Sequence, residues 1–218
     1  DESVGRIVAL LDELKVADNT LVIFTSDNGP SANLRMPGGN PAHRPQGPWR
    51  GFKTDSWDGG FRVPMIVRWP GKVAPGGTAD QFVCHTDMLA TLCDIVGATM
   101  PRWAGEDSYS MLPVWMGAKE ATRDHVVLQT YTGVLIIRDQ HWKLILGTEG
   151  SGGHQTATPD WAPNFGGWDR IRDINVGQLY NLGKDPYERS NLFGQHPDIV
   201  ARLRQRLEKV VLEDRSRP

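Results

Sequence analysis

The chain has 218 residues, enough for one sizeable core or for one large and one small lobe. A hydrophobic share of 39%, a charged share of 23% and a net charge of −2 are those of an ordinary globular chain, and they exclude the basic footprint of a nucleic-acid binder. No apolar run approaches the roughly 18–20 residues that span a bilayer. The chain opens directly on a helical pattern, with no initiator methionine and no signal-like segment, so the compartment is not written in these residues.

Val4, Ile7, Val8, Leu11 and Leu14 fall on one helical stripe, which Asp1 or Ser3 can cap. The helix is expected to end near Ala17–Asn19. "LVIF" then reads as a strand covered on both faces, and a helix feeding a buried strand predicts an α/β layer fold. Residues 29–60 have no sustained period and are rich in Gly, Pro, Asn and Arg; a loop of that length inside a compact domain is expected to be functional or disordered. "FRVPMIVRWPG" predicts a second strand closed by Pro70-Gly71. "DQFVCHTDMLATLCDIVGA" predicts a helix capped by Thr86 or Asp87 and stopped at Gly97.

From Arg123 the pattern changes. "HVVLQT", "GVLIIRD" and "HWKLIL" are short strands of an antiparallel sheet, "QLYNL" is a last strand, and "HPDIVARLRQRLEKVVLEDRSRP" is an amphipathic helix. Residues 147–177 form another loop, with His154, Trp161, Phe165 and Trp168. The division expected is 1–122 as an α/β part and 123–218 as a small α+β part. Cys84 and Cys93, placed on one helix, would stand about 13 Å apart along its axis. That is too far for a disulfide, so they read as free thiols, and no Cys/His spacing suggests zinc.

Chemistry concentrates at two points. In "TLVIFTSDNGP" a strand runs straight into Asp27 and Asn28, followed by Gly29 and Pro30. Two adjacent oxygen-bearing side chains at the carboxyl end of a strand suit a hard cation, and open α/β sheets place ligands there. Taken alone, the same residues make an ordinary Asx turn. The second point is "GFKTDSWDGGFRVPMIVRWPG", where Lys53 lies between Gly-rich turns just before a strand of the same sheet. A lysine so placed offers a compact charge to an oxyanion, and Gly59-Gly60 is expected to turn the backbone tightly behind it.

With these residues in view, the chain resembles the C-terminal half of a type I sulfatase of the alkaline phosphatase superfamily. "DESVGRIVALLDELKVADNTLVIFTSDNG" resembles the family's helix–strand–ligand segment, and residues 51–71 resemble its K-x4-[ED]-G-G-x-R-x-P signature. "TDMLATLCDIVGA" is similar to its D-x-x-P-T-L helix, and "LYNLGKDPYERSNL" to its L-Y-x-L-x-x-D-P-x-E-x-x-N-L block. The resemblance implies part of a central mixed sheet flanked by helices, plus a small antiparallel sheet packed with a terminal helix. It implies Asp27 and Asn28 as metal ligands for Ca²⁺, with Mg²⁺ as the alternative, and Lys53 as the catalytic and substrate-binding lysine on the sulfate. Arg62 matches the signature arginine and is read as structural. Asp58 stands where the family has Glu, and Ala90 where it has Pro.

The family's nucleophile, a formylglycine made from C/S-x-P-S-R, has no counterpart in this chain: Cys84 precedes "HTDM" and Cys93 precedes "DIVG". The resemblance places it in an N-terminal half, along with further ligands. His43 and His85 are not read as replacements. The expected function is therefore the C-terminal portion of a sulfate-ester hydrolase, inactive alone, acting with its N-terminal half on a sulfated carbohydrate in preference to a small aryl sulfate. A phosphate- or phosphonate-ester hydrolase of the same superfamily and a non-catalytic interaction fragment are the alternatives. An uncovered strand edge and apolar stripe also predict self-association.

Overall fold

The computed structural model describes residues 1–31, 44–147 and 176–217. His43, and His154, Trp161, Phe165 and Trp168 of the second expected loop, lie outside them. The chain forms two compact units, residues 1–26 with 64–123, and residues 27–63 with 124–217.

In the first unit, α1 (Glu2–Glu13) ends earlier than its periodicity suggests, at Leu14, and Lys15 turns the chain at φ 58°. A 3₁₀ turn, Ala17–Asn19, leads into β1 (Val22–Thr25). Among the described residues β1 pairs only with β2 (Met65–Arg68), antiparallel, with Ile23 opposite Val67 and Thr25 opposite Met65. The expected double covering of "LVIF" is not reached among the described residues. Phe24 and Ile66 are exposed, as are Ile7 and Leu14 of the α1 stripe, because the residues described contribute no further strand or layer to cover them.

α3 (Met88–Val96) begins at Asp87 and stops at Gly97, whose φ of 68° is the left-handed C-terminal stop anticipated. Asp87 organises this region. Its buried carboxylate accepts hydrogen bonds from the Cys84 and Tyr109 amides and from Arg123, the last at 2.7 Å. Ala90 donates its N–H to Ser108 Oγ at 2.8 Å, so the donor that a proline would lack has a built-in partner. α4 (Leu112–Trp115) follows. Cys84 and Cys93 are free thiols, as expected, but Cys84 precedes the helix instead of lying on it.

The second unit is built on a four-stranded antiparallel sheet in the order β3 (His125–Gln129), β4 (Leu135–Asp139), β5 (Trp142–Ile145) and β6 (Gln178–Asn181). Successive residues Ile136 and Ile137, and again Leu144 and Ile145, are fully buried, which requires both faces to be covered. One face carries Ile137, Leu144 and Leu179 against Val200, Leu203 and Leu207 of α5 (Pro197–Glu213). Each such leucine contributes about 1.5–3 kcal/mol by leaving water. The other face carries Ile136, Ile145 and Tyr180 and packs against Trp57 and Phe61, beside and within the short helix α2 (Asp58–Phe61). Strand alternation puts Arg138, Lys143 and Gln178 on that same face, toward residues 49–62.

The candidate active site

Two residues past β1 the chain reaches Asp27 and Asn28, which belong with Lys53 to the second unit. Asp27 is exposed and Asn28 half-buried. The Asn28 Nδ2 donates to the Gly29 carbonyl at 2.9 Å, which turns the amide oxygen to the opposite side. Two backbone bonds then fasten this loop to the signature segment: Gly29 N–H donates to Gly60 O at 2.9 Å, and Lys53 N–H donates to Pro30 O at 2.9 Å. The ligand pair and the lysine, 25 and 26 residues apart in sequence, are thus stitched together by their main chains. Lys53 is exposed and sits in a tight turn in which Phe52 N–H donates to Asp55 Oδ2 at 2.9 Å. The next residue, Thr54, has φ 80°, a conformation that a β-branched residue adopts only under constraint.

The glycines serve this approach, though not as the sequence suggested. Gly59 and Gly60 do not turn at positive φ; they form α2. They are small because a Cβ on Gly60 would lie 2.5 Å from Phe52 O and 2.7 Å from Asp55 O, and a Cβ on Gly29 would overlap the Gly59 carbonyl. The close packing of three chain segments requires hydrogen at these Cα atoms.

Behind the lysine turn lies a buried ionic cluster that the sequence reading did not assemble. Asp58, Lys143 and Glu188 are 4%, 1% and 0% exposed. Lys143 Nζ lies 2.8 Å from Asp58 Oδ1 and 2.7 Å from Glu188 Oε1. Arg62 Nε donates to Asp58 Oδ2 at 2.8 Å, and the Arg138 guanidinium lies 3.6 Å from the same oxygen. Burial pushes the Asp58 carboxyl up, but the charge and hydrogen bond of Lys143, with Arg62 and Arg138, outweigh it and leave Asp58 at about 2. Burial dominates at Glu188, whose carboxyl is raised although Lys143 opposes the shift. The structural reading of Arg62 agrees with its geometry: it binds Asp58 and stacks 4.0 Å over Trp49. A polar signal for Lys143 existed in "HWKLIL", where period-2 alternation places a lysine on the same face as Ile145.

His85 lies in the first unit, exposed, with Nε2 2.9 Å from Thr25 Oγ1 at the end of β1, in the 3₁₀ turn that leads into α3.

The donor chemistry at Asp27-Asn28 is carboxylate and amide oxygen, which fits a hard cation in type. Two such side chains are fewer than the six to eight oxygens that calcium takes. Among the described residues no group of three or more His, Cys, Asp or Glu is placed to hold a metal ion. No helix among them is long and apolar enough to cross a membrane.

An oxygen-donor pair just past a strand's end, with a lysine bonded to the same loop, is an arrangement in which open α/β sheets present ligand-binding side chains. The sulfatase family model matches residues 1–98, and the model described as N-sulphoglucosamine sulphohydrolase, C-terminal, matches residues 52–146. The chain is 34% identical to the N-acetylgalactosamine-6-O-sulfatase of Bacteroides thetaiotaomicron, over 96% of this chain and 40% of that protein. It is 31% identical to human arylsulfatase A, over 94% of this chain and 40% of that protein. A solved Bacteroides thetaiotaomicron structure, described under the metabolism of multiple glycosaminoglycans, superposes with a TM-score of 0.77 at 32% identity, covering 94% of this chain and 42% of that one. The chain belongs to the sulfatase family, with the family's α/β fold. It spans about two-fifths of the length of the relatives it matches.

Proposed function

We propose that this chain forms part of an enzyme that hydrolyses sulfate esters, with Asp27 and Asn28 as metal ligands and Lys53 as the cation that contacts the sulfate. The observation that carries the reading is the pair of backbone bonds, Gly29 N–H to Gly60 O and Lys53 N–H to Pro30 O, each 2.9 Å, which bring the two motifs into one loop cluster. Asp27 and Asn28 would hold Ca²⁺, or Mg²⁺ as the alternative, together with oxygen ligands from elsewhere in the protein. When bound, such an ion draws charge from the sulfate oxygens. Lys53 adds a compact positive charge with three donors against an oxyanion, in a turn whose geometry is set before substrate arrives. No C/S-x-P-S-R sequence is present in the 218 residues, so by themselves they are expected to turn over no sulfate ester.

A sulfated carbohydrate is the substrate class we favour. The first relative named above is an N-acetylgalactosamine-6-O-sulfatase by its name, and the sequence of residues 31–50 and 147–177 contains Arg, His and Trp, residue types suited to anionic sugars.

The test is made in the full-length protein. Asp27→Asn preserves size and turn-forming ability but removes a charge, and Ca²⁺ affinity is expected to fall by about tenfold or more, because affinity follows ligand charge. Lys53→Ala is expected to leave Ca²⁺ affinity unchanged and lower kcat on a sulfated sugar by about 10²–10³, the cost of one oxyanion contact. Wild-type affinity and rate in Asp27→Asn would reduce the motif to a turn.

A further inference from the structure

The block "DPYERSNL" after β6 was recognisable in the sequence, yet nothing in the proposed chemistry uses it. Its polar side chains bind backbone amides. Asp185 Oδ2 accepts the Arg189 and Ser190 amides at 2.7 and 2.8 Å, closing a turn over residues 185–190. Asn191 Oδ1 accepts the Leu179 amide at 3.0 Å, tying the turn's exit back to β6. Between them Glu188 sits in the left-handed region at φ 56°, wholly buried. A buried carboxylate and a positive φ in a non-glycine residue are each unfavourable, and both occur at one position.

Glu188 spends this conformation on residues 50–60. Its Oε2 accepts the Asp58 N–H at 2.6 Å, at the first residue of α2, and its carbonyl oxygen accepts Arg50 Nη1 at 2.7 Å. Arg50 lies 3.6 Å over the Trp57 ring, and the Arg50 carbonyl accepts the Gly59 N–H at 2.7 Å. Glu188 therefore grips both ends of the segment that carries Lys53. The same α2 presents Gly60 O to Gly29, next to Asn28. A continuous run of bonds leads from Glu188 through α2 to the Asp27-Asn28 loop, and Lys53 is bonded to that loop at Pro30.

We infer that Glu188 is a positioning residue of the site: through the Asp58 amide, Lys143 and Arg50 it sets the register of α2, and so the separation of the Asp27-Asn28 pair from Lys53. The inference rests on the metal and sulfate roles proposed for those residues. It gives Glu188 a role beyond satisfying the first N–H of α2.

The experiment uses the full-length protein and two variants. Glu188→Ala removes the acceptor, while Glu188→Gln keeps an oxygen for the Asp58 N–H and removes the charge opposite Lys143. Residue-resolved amide exchange is measured first. In Glu188→Ala the amides of Gly29, Lys53 and Gly59 are expected to exchange about tenfold faster or more, while those of β4 and β5 keep wild-type protection; Glu188→Gln should fall between. A merely structural role would speed the sheet amides equally. Calcium titration follows, with affinity expected to drop by about tenfold in Glu188→Ala, the scale of outer-shell partners at metal sites. Unchanged exchange at the three amides, or uniform acceleration through the sheet, overturns the inference. So does selective acceleration with wild-type Ca²⁺ affinity in a protein where Asp27→Asn does abolish binding. If Asp27→Asn also leaves Ca²⁺ binding intact, the metal reading fails, and the amide pattern alone decides the role of Glu188. Should Glu188→Ala not fold, Glu188→Gln carries both measurements.

Discussion

Replacing Lys143 by Met tests the energetics of the buried cluster directly. Methionine matches the lysine stem in length and fits the apolar neighbourhood of Ile136, Ile145 and Tyr180. What is lost is the ammonium 2.8 Å from Asp58 and 2.7 Å from Glu188. The two carboxylates are not equally harmed. Asp58 keeps Arg62 at 2.8 Å and Arg138 at 3.6 Å, whereas the Glu188 carboxylate keeps, among the described residues, the Asp58 N–H at 2.6 Å. Breaking a buried pair costs about 3–5 kcal/mol. The lower end, about 3 kcal/mol, applies here because one carboxylate remains paired.

The pH dependence gives the sharper test. Burial already raises the Glu188 carboxyl, and Lys143 opposes that rise. Without Lys143 the pKa climbs further. A carboxyl with a raised folded pKa destabilises the fold when ionised, and the penalty is relieved as pH falls through that pKa. The deficit of Lys143→Met is therefore expected to be largest near pH 8 and to shrink by pH 5.5. Asp58 loses Lys143 as well and its carboxyl rises from about 2, but Arg62 and Arg138 still hold it down, so Glu188 carries the larger change. Urea unfolding of both proteins at the two pH values measures the effect, and Lys143→Met/Glu188→Gln should recover most of the loss. A deficit under about 1 kcal/mol at pH 8, or one equal at both pH values, would refute this account of the cluster.

Gly29→Ala is expected to destabilise the site loop by about 1–3 kcal/mol or more and to weaken Ca²⁺ binding, since the new methyl overlaps the Gly59 carbonyl and relief breaks the Gly29–Gly60 bond; wild-type melting and affinity would count against it. Acid titration of the wild-type protein is expected to show a loss of roughly 2 kcal/mol from Asp58 between pH 3.8 and about 2, and Asp58→Asn should flatten that part of the stability curve. The 218-residue chain is expected to self-associate through its first unit, where Ile66, Leu14 and Ile7 are 61%, 59% and 57% exposed. Sedimentation showing a monomer at every concentration would contradict this.

The sequence alone determined the elements whose signals are local. The alternation in "GVLIIRD" and "HWKLIL", the 3.6-residue stripe of α5 and the Gly97 stop all report a few neighbouring residues, and each is found where it was expected. The motif blocks also named Asp27, Asn28 and Lys53 without any coordinates. The tertiary structure decided what depends on register between distant segments. Asp58, Lys143 and Glu188 come from three stretches of chain spread over 130 residues, and no local pattern says that one lysine will sit between two acids. Gly59-Gly60 shows the same limit from the other side. A sequence shows two small residues, and a turn is the nearest local reason for them. Only the packed backbone shows that the reason is a carbonyl 2.5 Å from where a Cβ would stand. Periodicity records which way a side chain points, while the partner it meets is set by strand pairing and by the chain that crosses above it.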